Sequence, residues 1–404
     1  MTRKAKRGVG NGIDLAWVKG ELKAFAVETP SWGYAQTGTR FGKFLHPAAA
    51  ATFEQKVQDA AEVHRLTRIT PRMAVHVLWD FPDGFDKSIV RLVEQHGLKI
   101  GAINPNVFQD QAYKFGSLGS PDAAARRAAI EHCVDSIKIG KLAGSDLLSL
   151  WFADGTNFPG QDSLVRRRRA MAAGLAEIYR EMPRAMTMLV EYKPFEPAFY
   201  STDIPDWGTA AMLAAGLGSR AKVLVDTGHH LPGTNIEQIV ACLLDDGLLG
   251  GFHFNDRKYA DDDLSAGSIA PYQLFLIFDQ IVAAKAAAGA KGAAKIAYMI
   301  DQSHNLKPKV EEMVQTVVTL QQLYAKALLV DRKKLAAAQA NCDLVAAEET
   351  LRAAFFADVT GLLAEVREDM GAAVDPLAAL RESKYVAKRS AERKADRGAG
   401  SSYA

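Results

Sequence analysis

A chain of 404 residues, 48% hydrophobic and 24% charged, has room for one large domain and an appendage, and its formal charge of +2 gives no global pull toward nucleic acid or an anionic membrane. No apolar run approaches the roughly 18 residues a bilayer span needs, and the basic start "MTRKAKRGVGNG" has no apolar stretch behind it that would make it a secretory signal. Cys133, Cys242 and Cys342 are far apart and show no metal or redox spacing, so a reducing, cytoplasmic setting is expected.

Eight short apolar, β-branched-rich runs follow in order: "KAFAVET", "MAVHVLW", "KIGAI", "LLSLWF", "MLVEY", "KVLVD", "GFHFN" and "IAYMID". They are continuous rather than alternating, as strands buried on both faces should be. Segments with helical spacing lie between most of them. Residues 85–96 end at Gly97, a fitting residue for the left-handed turn after a helix. Ser120–Pro121 reads as an N-cap followed by proline in the first turn, and Thr234 with Glu237 reads as a capping box before "IVACLL".

This alternation leaves two architectures, a (β/α)8 TIM barrel or a doubly wound sheet. No glycine-rich nucleotide fingerprint follows any strand, which speaks against the second. His76, Trp151, Glu191, Asp226, His253 and Asp301 stand at or near the ends of different strands. A flat sheet would spread six strand ends over about 25 Å, at roughly 4.8 Å per strand, whereas a barrel gathers them on one face. The expected fold is an α/β protein: a (β/α)8 TIM barrel over residues 1–331, with a C-terminal helical extension and basic tail over 332–404 that serve oligomerisation. In the extension, Leu344, Leu351, Phe355, Leu362 and Val366 fall near one helical face. The last twenty or so residues should be loosely ordered or held by a partner subunit. Four consecutive arginines, Arg166 to Arg169, point in four directions on a helix and are read as a solvated or interface face.

The chemistry is concentrated at the strand ends. "VEYKPFEP" offers Glu191 and Lys193, "VDTGHHLPG" offers Asp226 and His229, "GFHFND" offers His253, and "MIDQSHN" offers Asp301. The loop "KYADDDL" adds three adjacent acids; Asp261 and Asp263 share one side of an extended segment, and Asp262 faces away. Carboxylates packed in a pocket repel or take up protons unless a cation holds them, and oxygen with imidazole suits Mn²⁺, Co²⁺, Mg²⁺ or Zn²⁺. The donors suffice for two ions, one at Glu191, Asp226, His253 and Asp301, the other at His229, Asp261 and Asp263. Any one of these residues alone is an ordinary cap or turn former; seven on four consecutive strand ends are not. Lys193 would face the same mouth as a cation, and His76 and Asp80 would handle a proton on a substrate hydroxyl. Trp32 and Trp151 are candidate walls for a sugar ring, whereas Trp79 and Phe108 are read as core. "TGTRFGKF" carries Gly38 and Gly42 around Phe41 and reads as a loop able to cover a pocket. His46, His64, His96 and His132 are read as structural.

"VEYKPFEP", "VDTGHHLPGTNIEQIVA", "GGFHFNDRKYADDDL" and "MIDQSHN" resemble the bacterial L-rhamnose isomerases, especially their broad-specificity group, over most of residues 20–330. The wider relatives, the xylose isomerases, have a carboxylate where His253 stands and a Glu where Asp226 stands. The resemblance implies a (β/α)8 barrel, a homotetramer and two divalent ions, commonly Mn²⁺ or Co²⁺. It places Glu191, Asp226, His253 and Asp301 at a structural metal, and His229, Asp261 and Asp263 at a catalytic one. Lys193, Trp151, Trp32 and His76 match substrate-contacting positions, and Phe41 matches a residue lent by the neighbouring subunit. The implied reaction is aldose–ketose isomerisation of L-rhamnose to L-rhamnulose, with D-allose among further substrates and with Lys193, His76 and Asp301 as catalytic groups. The rival reading is a metal-dependent hydrolase of the phosphodiesterase type on the same scaffold. That enzyme would want a basic, aromatic-lined track at the mouth, where this chain is acidic.

Overall fold

The computed structural model describes residues 13–39, 42–195, 201–288 and 295–393. Eight parallel strands close into a barrel: β1 (Glu28–Pro30), β2 (Arg72–His76), β3 (Lys99–Asn104), β4 (Leu147–Leu150), β5 (Thr187–Glu191), β6 (Ala221–Asp226), β7 (Leu249–Phe254) and β8 (Ala297–Ile300). Closure is made by Glu28, which registers with Met299 of β8 on one side and Arg72 of β2 on the other. All eight expected strands are present, as the burial of both strand faces requires. Ala74, Ala102, Leu147, Leu189, Leu224 and Met299 pack together inside the barrel, and a larger apolar layer lies between strands and helices. Glu28 also points inward, where it meets Arg72 Nε at 2.9 Å and accepts from Ala102 N at 2.8 Å. Gly101 makes this possible: a Cβ there would stand 2.0 Å from the Glu28 carboxylate.

Local structure differs from the sequence reading in three places. The first run gives only a short strand, because the helix Leu15–Ala24, capped by Asp14, continues through Lys23 and buries Val18 and Leu22. Ser120 is not a cap; the helix Ala123–Ala143 starts behind Asp122, which accepts from Ala124 N at 2.8 Å. Thr234 is committed to the preceding turn through Leu231 O, so Asn235 caps Ile236–Asp245 by accepting from Gln238 N at 3.0 Å. Gly97 does follow the helix Lys87–Gln95 with φ +74°.

Over residues 332–370 the extension consists of three helices, Arg332–Ala340, Leu344–Phe355 and Thr360–Asp369, interrupted at Cys342 (φ +53°) and again after Phe355. Val366 is buried, but Leu344 at the start of its helix is 78% exposed. Phe355 packs edge-on against Tyr272 of the helix Pro271–Ala288 at 4.9 Å between centroids. Beyond it, Pro376–Glu382 and Tyr385–Glu392 are helical, and the described part of the tail is docked on its own barrel. Arg393 holds the buried Asp59 through Nη1 and Nη2, at 2.7 and 2.8 Å, and Tyr385 donates to the same carboxylate at 2.8 Å. Among the described residues, no helix is long and apolar enough to cross a membrane.

Candidate active site

The C-terminal ends of the strands surround a cavity of about 220 Å³. One half is acidic. Glu191 at the end of β5 sets Oε1 3.2 Å from His229 Nδ1 and 3.3 Å from His253 Nδ1. His253 Nδ1 is in turn 3.6 Å from Asp301 Oδ2 and 3.9 Å from Asp226 Oδ2. Glu191, Asp226, His253 and Asp301 thereby form one group, and Asp226, His229 and Asp261 form a second, each with donor atoms within 4.8 Å of one another. Asp226 belongs to both.

Neighbouring residues fix these donors. Asp226, fully buried, accepts from Gly228 N at 2.6 Å and from Asn255 Nδ2 at 3.1 Å. His229 Nδ1 lies 3.1 Å from Tyr192 O, which leaves Nε2 toward Asp226 and, 3.5 Å away, Asp261 Oδ1. Asp262 turns outward, where its carboxylate accepts from Lys258 N and Tyr259 N at 2.5 and 2.9 Å. Asp263 lines the cavity from a left-handed backbone (φ +47°) and accepts from Ser303 Oγ at 3.1 Å, but it stands outside both donor groups. The extended geometry that would put Asp261 and Asp263 on one ion is therefore replaced by a turn.

Without a metal, protons must do the compensating. Burial would push Glu191 up, but the charged imidazoles of His253 and His229 bring it down to about 2. Burial, reinforced by neighbouring carboxylates, pushes Asp226 up to about 7. His253 would be lowered by burial, yet Glu191, Asp301 and Asp226 hold it up at about 9. Asp261 Oδ1 is buried and finds no hydrogen-bond donor. Four acids and two imidazoles converging on shared points, with an oxygen left unsatisfied, fit divalent cations.

The other half is aromatic. Trp32 and Trp151 stand in the wall as a sugar-facing reading requires, and so do Trp79 and Phe108, which are not core. His76 links them: its ring is 4.7 Å from Trp32, 4.1 Å from Trp79 and 5.9 Å from Phe108. Burial and the His253 charge push its imidazole down to about 3, so it is neutral near pH 7. Lys193 Nζ bridges the halves, paired with Asp261 and 5.4 Å from the Trp151 ring centroid. Asp80 does not line the cavity; it is buried against Lys56 at 2.6 Å and accepts from Ser31 Oγ and His76 N. Phe41 lies outside the described residues, between the paired Thr39 and Gly42. The sequence reading does not single out Asn255 and Ser303, although each lies two residues from a member of the first donor group.

The family pattern described as xylose isomerase-like TIM barrel matches residues 59–302. The chain belongs to that family. Probable sugar isomerases of Rhizobium meliloti and Mesorhizobium japonicum are each 43% identical to it, covering 96% and 95% of this chain and 91% and 90% of their own. A solved L-ribulose 3-epimerase shares the fold, with a TM-score of 0.52 at 14% identity over 80% of this chain and 98% of its own. This member of the family keeps its donor groups on β5 to β8 and its aromatic wall on the loops of β1 to β4.

Proposed function

We propose that the chain is a metal-dependent aldose–ketose isomerase that interconverts L-rhamnose and L-rhamnulose and accepts other aldoses such as D-allose. The observation that carries this reading is the pair of donor groups sharing Asp226, set across one cavity from an aromatic wall. Two divalent ions, Mn²⁺ or Co²⁺, would be held by Glu191, Asp226, His253 and Asp301 and by Asp226, His229 and Asp261, with Asp263 beside the second. Such ions would polarise the O1 and O2 oxygens of an open-chain sugar. Net conversion moves one hydrogen from C2 to C1 and one proton from O2 to O1, with no external oxidant. Lys193 is placed to steady negative charge at O1, and the neutral His76 to assist ring opening. His76 Nδ1, Ser149 Oγ and Trp151 Nε1 are buried polar atoms without a protein partner at the wall, as suits a ligand rich in hydroxyls.

A cytoplasmic homotetramer completes the proposal. Loops at the mouth expose large apolar side chains, among them Phe44, Phe115, Phe158, Tyr259 and Leu306, each at least 57% exposed. A neighbouring subunit that covers this rim accords with the resemblance, which implies that Phe41 is lent between subunits. The test is ketose formation from a panel of aldoses by the purified protein, before and after EDTA and with Mn²⁺ or Co²⁺ restored. L-Rhamnose turnover that depends on the restored ion is expected. Inactivity on every aldose, or hydrolysis of a phosphodiester instead, would remove the assignment.

A further inference from the structure

The arginine run holds one member unlike the rest. Arg167, on the helix Leu164–Glu181, is only 2% exposed, and its guanidinium touches three loops. Nε and Nη2 pair with Asp203 at 3.0 and 2.8 Å in the loop after β5. Nη1 donates to Phe115 O at 3.0 Å in the loop after β3, and to Asp162 at 3.1 Å in the loop after β4. Beside it the buried Asp154, also after β4, accepts from Ser117 N at 2.7 Å and Gly119 N at 2.6 Å, while its carbonyl accepts from Asp203 N at 2.8 Å.

These same three loops carry side chains that touch one another in the cavity. Phe108 and Trp151 pack edge-on at 5.0 Å, and the Lys193 ammonium stands 5.4 Å from the Trp151 centroid. Lys193 N donates to Ile204 O at 3.0 Å, one residue from Asp203. The backbone leaves space for the lock: a Cβ at Gly119 would lie 2.5 Å from Asp203 Oδ2 and 3.0 Å from Arg167 Nη2.

We propose that Arg167 is a positioning residue whose guanidinium locks the loops after β3, β4 and β5 together and so fixes the wall formed by Phe108, Trp151 and Lys193. Its kinetic consequence rests on the sugar-isomerase reading, in which Phe108 and Trp151 face the body of the sugar and Lys193 its O1. A planar five-donor fork can serve three loops at once; a lysine ammonium cannot match that geometry.

The test compares wild type, R167K, R167M and G119A by two readouts. In amide hydrogen exchange, R167M should raise exchange in residues 105–119 and 151–163 together, while β6 to β8 stay protected. Kinetically, R167M should raise KM for the sugar about tenfold or more and lower kcat by a smaller factor through Lys193, and R167K should recover part of both losses. G119A strains the same lock without removing a charge and should reproduce the exchange pattern, which keeps the question decidable if R167M does not fold. Exchange that rises only in the helix Leu164–Glu181, or KM within twofold of wild type, would overturn the proposal. A wild type that turns over no sugar would remove the isomerase reading instead, and exchange would still decide the lock.

Discussion

Trp32 donates from Nε1 to Asp301 Oδ1 at 2.7 Å, joining the first loop of the barrel to its last strand across 269 residues. The indole thus does two things: it walls the cavity and it orients a carboxylate of the first donor group. Removing such a partner typically costs 10–100-fold in metal affinity. We expect W32F to keep the aromatic face yet bind Mn²⁺ about tenfold more weakly in calorimetric titration. Affinity within twofold of wild type would show that Asp301 needs no such guide.

Asp226 is the carboxylate common to both donor groups, whereas Asp301 belongs to one. The two residues should therefore fail differently. D226N is expected to abolish tight binding at both positions, and D301N at one, when bound Mn²⁺ is counted per chain by elemental analysis after dialysis. Asn255 offers an intermediate case, since it only orients Asp226 through its amide. N255A should retain two ions at reduced affinity. Equal stoichiometry in D226N and D301N would refute the shared carboxylate.

The strands and the ionisable residues at their ends were legible because each rests on a local rule. A strand buried on both faces must be a run of apolar residues, and an ionisable group that interrupts such a run needs a reason. Arg167 and Asp80 were not legible for the opposite cause. Their partners, Asp203 and Phe115 in one case and Ser31 and Lys56 in the other, lie 24 to 52 residues away, and nothing in their neighbourhood marks them as buried. Trp79 and Phe108 were misplaced because an aromatic residue looks the same in a core and in a cavity wall. In the extension, helical periodicity continues across an interruption that only the cap at Asp343 and the left-handed turn at Cys342 betray.

Glu312 gives a pH dependence that does not involve the metal donors. It is 2% exposed, accepts from Ser265 Oγ at 2.9 Å, and faces Lys307 and Lys309. Burial pushes its carboxyl up from 4.5 to about 7. Between those values the unfolded chain has lost a proton that the folded chain still holds, so stability from this group falls as pH rises. The ceiling on the effect is about 3 kcal/mol. E312Q keeps the side-chain oxygen for Ser265 but cannot ionise. Urea unfolding at pH 5 and pH 8 should show a smaller loss with rising pH in E312Q than in wild type. Identical pH slopes would mean that Glu312 is ionised without cost.

The clasp between Arg393 and Asp59 ties the end of the described chain to the helix Phe53–Thr67, with side-chain exposures of 4% and 0%. Burial pushes Asp59 up, and Arg393 and Tyr385 oppose that push. Losing one partner of a buried pair leaves the other uncompensated, at a cost of about 3–5 kcal/mol, whereas removing both charges costs less. R393A should therefore destabilise the protein by an amount in that range in urea unfolding. D59N/R393A should recover part of it, because the asparagine carries no charge and still accepts from Tyr385. The same helix carries Lys56, whose pairing with Asp80 supports Ser31 and the backbone of His76. Loss of the clasp should accordingly also raise amide exchange at residues 31–32 and 76–80. A purely local effect, confined to residues 376–393, would show that the tail is a passive cover and that the first two loops of the barrel hold their positions without it.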